Sequence, residues 1–379
     1  MLNKLKKAYI SIEIVVIAAV CIIGGLTGTS AFLKNGQNAQ SQSAAAMNNT
    51  IDMIGEEFGF DLGEANITGS IVTTKEDLMN AIDSAENGDI ITVAFGTYDL
   101  SGTTLIIDKS IILQGLDEMN KPTFIVTTAD GSGSANIISG IDIQANDVTL
   151  KNLRIETNSS GENSGNLIQI SKNGTEYFSN ITIIGCELFG SDHSIALYGN
   201  NITIQDCVLD ESTAPSQGNI LYVWGTSGTL TIRNNTFIGM NQKKHGISFY
   251  YQSSASEVSG EIIIEGNRFE DIYKAVVHES SMTYNNVSIK VLNNEFNCKK
   301  KAVAIDKGTF VSYTINENVF ITTDTSDLVI IDNKVNTVIN ADKNYWNSNN
   351  PEFESVISGS NVEVNNYYSD SLKTNLLNR

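Results

Sequence analysis

The sequence predicts a mainly β chain: a single-stranded parallel β-helix with an N-terminal capping helix, preceded by one long hydrophobic α-helix. Three observations predict it. A unit of alternating apolar residues, a polar corner and a large apolar residue recurs through most of the chain. A capped amphipathic helix stands just before the first of these units, and an apolar run from Tyr9 to Leu33 opens the chain.

The 379 residues carry a formal net charge of −19 and are 41% hydrophobic. Such a chain buries a large core. Positive charge is concentrated only in the first seven residues, so no basic surface is expected for nucleic acid or anionic lipid. The four cysteines, Cys21, Cys186, Cys207 and Cys298, are too few for a disulfide scaffold. Three prolines against 30 glycines suit regular ladders joined by tight turns.

Residues 1–33 read as a basic leader and a membrane-length helix. Lys4, Lys6 and Lys7 hold their end in the cytoplasm, and the run from Tyr9 to Leu33 makes a helix roughly 37 Å long, enough to cross a bilayer core. Its only carboxylate is Glu13. A cleavable secretory signal would use Thr29-Ser30-Ala31, but Glu13 sits inside its apolar core. A plain anchor places Glu13 near the interface, at a cost of at most roughly 3 kcal/mol. The stretch Lys7-Ala8-Tyr9-Ile10-Ser11-Ile12-Glu13 also resembles the prepilin segment of type IV pilins and pseudopilins. That resemblance implies a cut after Ala8, Tyr9 as first mature residue, and Glu13 paired with a neighbouring subunit's N-terminal amine in a filament core. It covers only the opening segment, with Ala in place of the usual Gly and Tyr in place of Phe or Met.

Residues 34–70 turn polar and small, as in Gly36-Gln37-Asn38-Ala39-Gln40-Ser41, and read as a stalk or linker. From Ile71 a domain begins. Thr74 and Asp77, with Leu78, Ala81, Ile82 and Ala85 at helical spacing, mark a capped helix ending at Asn87-Gly88. Strands follow at Asp89 to Val93, after Gly96-Thr97-Tyr98, and from Thr104 to Leu113. This order resembles the N-terminal cap and first coils of right-handed parallel β-helix proteins of the pectate-lyase-like superfamily. A helix laid across an open coil end covers both strand edge and apolar interior.

The repeat runs from Ile181-x-Ile183 with Cys186-x-Leu188 to Ile339-x-Ala341 with Asn344-x-Trp346. Its corners are Cys186, Cys207, Asn235, Asn267, Asn294, Asn318 and Asn344, 21 to 32 residues apart. Asn tolerates the left-handed backbone region, and its amide can bond the same amide one coil away, about 4.8 Å along the stack. A structural ladder is therefore expected. Cys186 and Cys207 share that corner in consecutive coils, as stacked thiols or as a disulfide. The Asn-x-Ser/Thr matches at Asn180, Asn201, Asn234 and Asn286 read as turns. The β-helix is expected over 71–350, with residues 351–379 breaking register at Pro351 and capping the far end.

In each unit a further strand follows the corner. Alternation sends Ile195/Leu197, Ile247/Phe249 and Val303/Ile305 inward. The outward row is then Tyr198, Trp224, Tyr250, His278, Asp306 and Asp332. Tyr198, Trp224, Tyr250 and His278 would offer stacking platforms to sugar rings, widened by His245 and Tyr251. Alternatively the rings stack for stability alone, or loops cover them. For catalysis the candidates are Asp306 and Asp332, which one coil apart would suit a carboxylate pair, and His278. A lyase would need clustered aspartates for calcium and a basic side chain; Arg154, Arg233 and Arg268 fall in ladder segments instead. Lys243-Lys244-His245-Gly246-Ile247 resembles a histidine-glycine segment of polygalacturonase-type enzymes, without the accompanying aspartate pair.

The preferred expectation is a surface-exposed, pilin-like or membrane-anchored subunit displaying a β-helix for adhesion or glycan binding. Other pilin-like subunits, the membrane and a glycan are its expected partners, with no metal and no cofactor. A membrane-anchored polysaccharide lyase or glycoside hydrolase is the alternative, and only a lyase would bring in calcium. A purely structural filament or envelope protein is a third reading. Sequencing the mature N-terminus separates the readings of the opening segment: Tyr9 is expected for prepilin processing, Met1 for an anchor, and a start near Phe32 for a secreted form.

Overall fold

The computed structural model describes residues 71–379 apart from 131–136, 159–164, 172–175, 215–217, 240–243, 251–255, 280–281 and 322–328. Residues 1–70, with Ala8, Tyr9 and Glu13, lie outside the described residues, as does Tyr251. Ile71 to Arg379 form a compact unit.

The unit opens on the expected capped helix. Thr74 Oγ1 accepts the Asp77 N–H at 3.1 Å, and the helix Lys75–Ser84 buries Leu78 and Ile82. At its far end the Ile82 carbonyl accepts both the Ala85 N–H at 3.4 Å and Lys109 Nζ at 3.2 Å. Gly88, at φ +97°, then turns the chain into the strand Ile90–Val93.

From there the chain winds as a parallel β-helix with three faces. The first face includes Ile112–Gly115, Thr149–Lys151 and Phe178–Ile184. The second, after the polar corner, includes Thr123–Val126, Arg154–Thr157 and Glu187–Phe189. The third includes Ile141–Ile143, Asn166–Ile170 and the start of His193–Gln205. Each strand pairs in parallel with its counterpart one coil away. On the first face this aligns Leu113, Leu150, Ile183, Ile204, Ile232, Ile264, Val291 and Ile315 in one buried column.

The asparagine ladder forms at the corner between the first two faces. Asn235, Asn267, Asn294, Asn318 and Asn344 are all buried. Each Oδ1 of Asn267, Asn294, Asn318 and Asn344 accepts both the N–H and the Nδ2 of the preceding Asn, at 2.8 to 3.0 Å. Each Nδ2 also donates to a carbonyl of the coil before, as Asn267 does to Ile232 at 2.8 Å. Cys207 heads the ladder, its N–H bonded to Asn235 Oδ1 at 2.9 Å. Cys186 and Cys207 are free, buried thiols, and burial pushes the Cys207 thiol up.

One expectation is corrected here. The left-handed residue is not the ladder residue but the one before it: Asp206, Asn234, Gly266, Asn293, Glu317 and Lys343 take φ between 54° and 66°. That turn aims the next side chain inward, where its amide is shielded from water. Two residues further on, Phe237, Phe269, Phe296 and Phe320 stack in the interior at 4.8, 4.9 and 5.4 Å.

A second, exposed ladder marks the corner before the first face. Asn180, Asn201 and Asn286 take φ of 61°, 51° and 51°, in keeping with turns. Asn180 Nδ2 donates to Asp147 Oδ1 at 2.8 Å, and Asn201 Nδ2 to Asn180 Oδ1 at 3.3 Å.

At the far end the stack continues past Pro351, against expectation. Ile331 pairs with Ile357, Ile339 with Val362 and Asn344 with Tyr367. The short helix Phe353–Val356 occupies a corner without disturbing the ladder, because Phe353 packs edge-on against Trp346 and Tyr367. The parallel run ends where Leu376–Asn378 pairs antiparallel with Asn366–Tyr368.

Replacing Asn267 by Ala would strand the Asn235 amide donors and the Ile232 carbonyl. At about 1–3 kcal/mol per buried group left unpaired, the cost should reach at least about 3 kcal/mol. Asn201→Ala, on the exposed ladder, should cost about 1 kcal/mol, mostly for the left-handed backbone. Urea unfolding of the two variants checks the contrast.

Candidate ligand-binding face

The third face carries the candidate residues. Its pairing aligns Asp142, Gln169, Ala196, Tyr222, Ser248, Val277, Ala304 and Asp332 in one column. The adjacent column holds Leu197, Val223, Phe249, His278, Ile305 and Asn333. Leu197, Val223, Phe249 and Ile305 belong to the interior core.

The expected outward row is not one column. Tyr198 pairs with Gly225 after a register shift, so Trp224 is an extra residue between Val223 and Gly225. Gly225 takes the position expected for Trp224, and Tyr222 lies in the neighbouring outward column with Ala196 and Ser248. The coil that follows is one residue longer than assumed, which puts His278 beside Phe249 rather than Tyr250. His278 is therefore fully buried, stacked on Phe249 at 4.6 Å, with Nε2 2.9 Å from the Tyr313 hydroxyl and Nδ1 3.2 Å from that of Tyr284. It cannot meet a sugar or act on one.

The carboxylates are also placed differently. Asp332 pairs with Ala304, not with Asp306, and is bonded by Lys301. Burial alone would raise its carboxyl, but the hydrogen bond and charge of Lys301 outweigh that and lower it. Asp306 is held by Lys334 Nζ at 2.5 Å. Both are thus committed to lysines.

Tyr198 and Trp224 do lie outside the interior, but 1% and 2% exposed. With Ala196, Tyr222 and the flanking Tyr177 they form a separate apolar cluster. Tyr177 and Tyr198 rings sit 3.7 Å apart. The expected open stripe is a covered one, since the ring beside each ring shields it from water. Gly225 makes this packing possible: a Cβ there would lie 2.8 Å from the Tyr198 ring.

From this cluster a row of rings leads outward. His193 lies 4.7 Å from Tyr222, and Tyr222 lies 5.6 Å from both Trp224 and Tyr250. Tyr250 is 43% exposed. At the start of the strand that Tyr250 follows, His245 stacks on Tyr273 at 5.9 Å, and burial lowers its imidazole to about 4. Lys274 and Lys300 hold their ammonium groups 5.9 and 5.7 Å from the Tyr273 ring. Lys274 pairs with Lys301 one coil on, and Lys299 is exposed. Positive charge is thus concentrated here too, correcting the expectation that it gathers only at the start of the chain. The run Lys299-Lys300-Lys301 was the available signal; Lys274 and Tyr273 join it only through the stack.

Below the row lies a buried ion cluster. Lys244 Nζ is 3.0 Å from Glu211 Oε2, an ion pair outside hydrogen-bond geometry, and 3.5 Å from Asp192 Oδ1. Ser194 donates to Glu211 Oε1 at 2.9 Å. Burial raises the Glu211 carboxyl to about 8, against the pull of Lys244. No sequence spacing joins Asp192, Glu211 and Lys244; only the coil geometry does. Among the described residues no group of acidic, His and Cys side chains is arranged to hold a metal ion.

No protein-family model and no curated protein matches this chain. Similar solved structures include the alginate lyase AlyGC of family PL6, at 15% identity and TM-score 0.38, over 66% of this chain and 39% of that one. The A-module of the Azotobacter vinelandii mannuronan C-5 epimerase AlgE4 matches at 12% identity and TM-score 0.41, over 77% and 94%. The tailspike gp49 of the Acinetobacter baumannii bacteriophage Fri1, a capsular polysaccharide depolymerase, matches at 12% and 0.39, over 79% and 60%. These neighbours are right-handed parallel β-helix proteins, and the likeness concerns fold alone.

Two buried groups make stability depend on pH in opposite senses. His278 is pushed from 6.5 down to about 3 by burial, so the unfolded chain binds the extra proton, and stability should fall as pH drops from 6.5 towards 3. Glu211 is raised from 4.5 to about 8, so the folded chain holds the extra proton, and stability should fall as pH rises from 4.5 towards 8. Thermal unfolding against pH should lose the first slope in His278→Gln and the second in Glu211→Gln.

Proposed function

We propose that this protein engages an acidic polysaccharide along the outer side of the third face, displayed outside the cell by its opening segment. One observation carries the reading. The ring row from His193 through Tyr222 and Tyr250 shares the third face with His245, which stacks on Tyr273, itself flanked by Lys274 and Lys300. Aromatic faces stack on the apolar faces of sugar rings, and ammonium groups pair with carboxylate, sulfate or phosphate substituents. The three rings belong to successive coils, which repeat at about 4.8 Å, and they step across the face from the start of one strand to just past the end of another.

Binding rather than turnover fits the carboxylates, because Asp306 and Asp332 are each bonded to a lysine. Display outside the cell is supported by Lys4, Lys6 and Lys7 ahead of the apolar run from Tyr9 to Leu33. Among the described residues no helix is long and apolar enough to cross a membrane, and the opening segment is not among them.

Affinity electrophoresis through gels cast with acidic or neutral polysaccharides tests the reading. Retardation is expected with an acidic chain and should weaken with salt. Tyr250→Ala and Lys300→Glu should each reduce it about tenfold, near the 1.4 kcal/mol expected of one lost contact. Equal migration in all gels contradicts the proposal, and release of shortened products would replace binding with turnover.

A further inference from the structure

The ring row is built on the first residues of three successive third-face strands: His193 of His193–Gln205, Asn219 of Asn219–Arg233 and His245 of His245–Phe249. They are joined across coils. His193 Nδ1 lies 2.7 Å from the Asn219 carbonyl oxygen, and His245 Nδ1 lies 3.2 Å from Asn219 Oδ1. Directly before them in the chain stand Asp192, Gly218 and Lys244.

Those three positions are stacked as well. Lys244 Nζ reaches past Gly218 to the Asp192 carbonyl at 3.3 Å and to its carboxylate at 3.5 Å, skipping one coil. The glycine makes that reach possible. A Cβ at Gly218 would stand 2.2 Å from Asp192 Oδ1, in the space the carboxylate occupies. Glu211, 3.0 Å from the same ammonium and bonded to Ser194, ties in the strand that begins at His193. Lys244, Glu211 and Asp192 are buried, so a substrate does not touch this cluster.

We propose that Lys244 is the positioning residue of the ring row: its ammonium, drawn across Gly218 to Asp192 and Glu211, holds His193, Asn219 and His245 in one register. The role rests on the proposed ligand face, but its geometry can be read without a ligand. Losing the ammonium takes from the buried Asp192 carboxylate its lysine partner, and from its carbonyl a donor, which is strongly destabilising locally. Loss of the ammonium should therefore loosen His193 against Tyr222, and with it the covered Trp224.

The chain has two tryptophans, so in the full chain carrying Trp346→Phe the emission reports Trp224 alone. Lys244→Met should at least double acrylamide quenching of Trp224 and reduce retention by an acidic polysaccharide about tenfold, whereas Lys244→Arg should restore both. Unchanged quenching in a folded Lys244→Met protein overturns the proposal, as does an equal loss in the Met and Arg variants. If Lys244→Met does not fold, Asp192→Asn decides: raised quenching supports the role, and wild-type quenching overturns it. If the parent protein is retained by no polysaccharide, the proposed ligand face fails, and quenching alone decides the positioning role.

Discussion

Everything in this solenoid depends on the buried asparagine amides at one corner. Within the ladder the oxygen takes two donors from a neighbouring coil, and the nitrogen gives its protons to a carbonyl and to the next amide, as at Asn267 and Asn294. An amide in an apolar interior is costly unless every group is paired, so the ladder tolerates only one register. That register stacks Phe237 on Phe269 and aligns the apolar column of the first face. The left-handed residue before each Asn is the price in backbone strain, and Asn, Asp and Gly supply most of these positions because they enter that region with little penalty.

The asparagine corner keeps its register, and shifts fall away from it, on the first face as well as on the third. The extra residue at Trp224 and the longer coil before His278 both fall on the third. One shifts aromatic rings to the outside, where they cover one another. The other sends a histidine to the inside, where two tyrosine hydroxyls satisfy it. The same looseness lets Lys244 span two coils and gathers Tyr273, Lys274 and Lys300 at one corner. A face with irregular coils is also the one where recognition can evolve without unseating the core.

The fold was legible because its period is long, repeated and physically redundant. Asn235 to Asn344 announce a ladder, Thr74 and Asp77 announce a cap, and the alternation in Ile262-x-Ile264 announces a buried strand. The site was legible only in part. Counting 26 to 28 residues between Tyr198 and Asp332 assumed equal coils, and a single inserted residue exchanges inside for outside. Tyr222 was missed because it belongs to the neighbouring outward column, with Ala196 and Ser248. The Asp192, Glu211 and Lys244 cluster carries no local pattern at all, because its members meet only through the stacking of coils.

Hydrogen exchange of the backbone, with and without an acidic polysaccharide, tests the account most directly. Added polysaccharide should slow exchange along His193 to Tyr198, Asn219 to Thr226, His245 to Phe249 and Tyr273 to His278, leaving the first face unchanged. Protection confined to the first or second face, or none on the third, would contradict it.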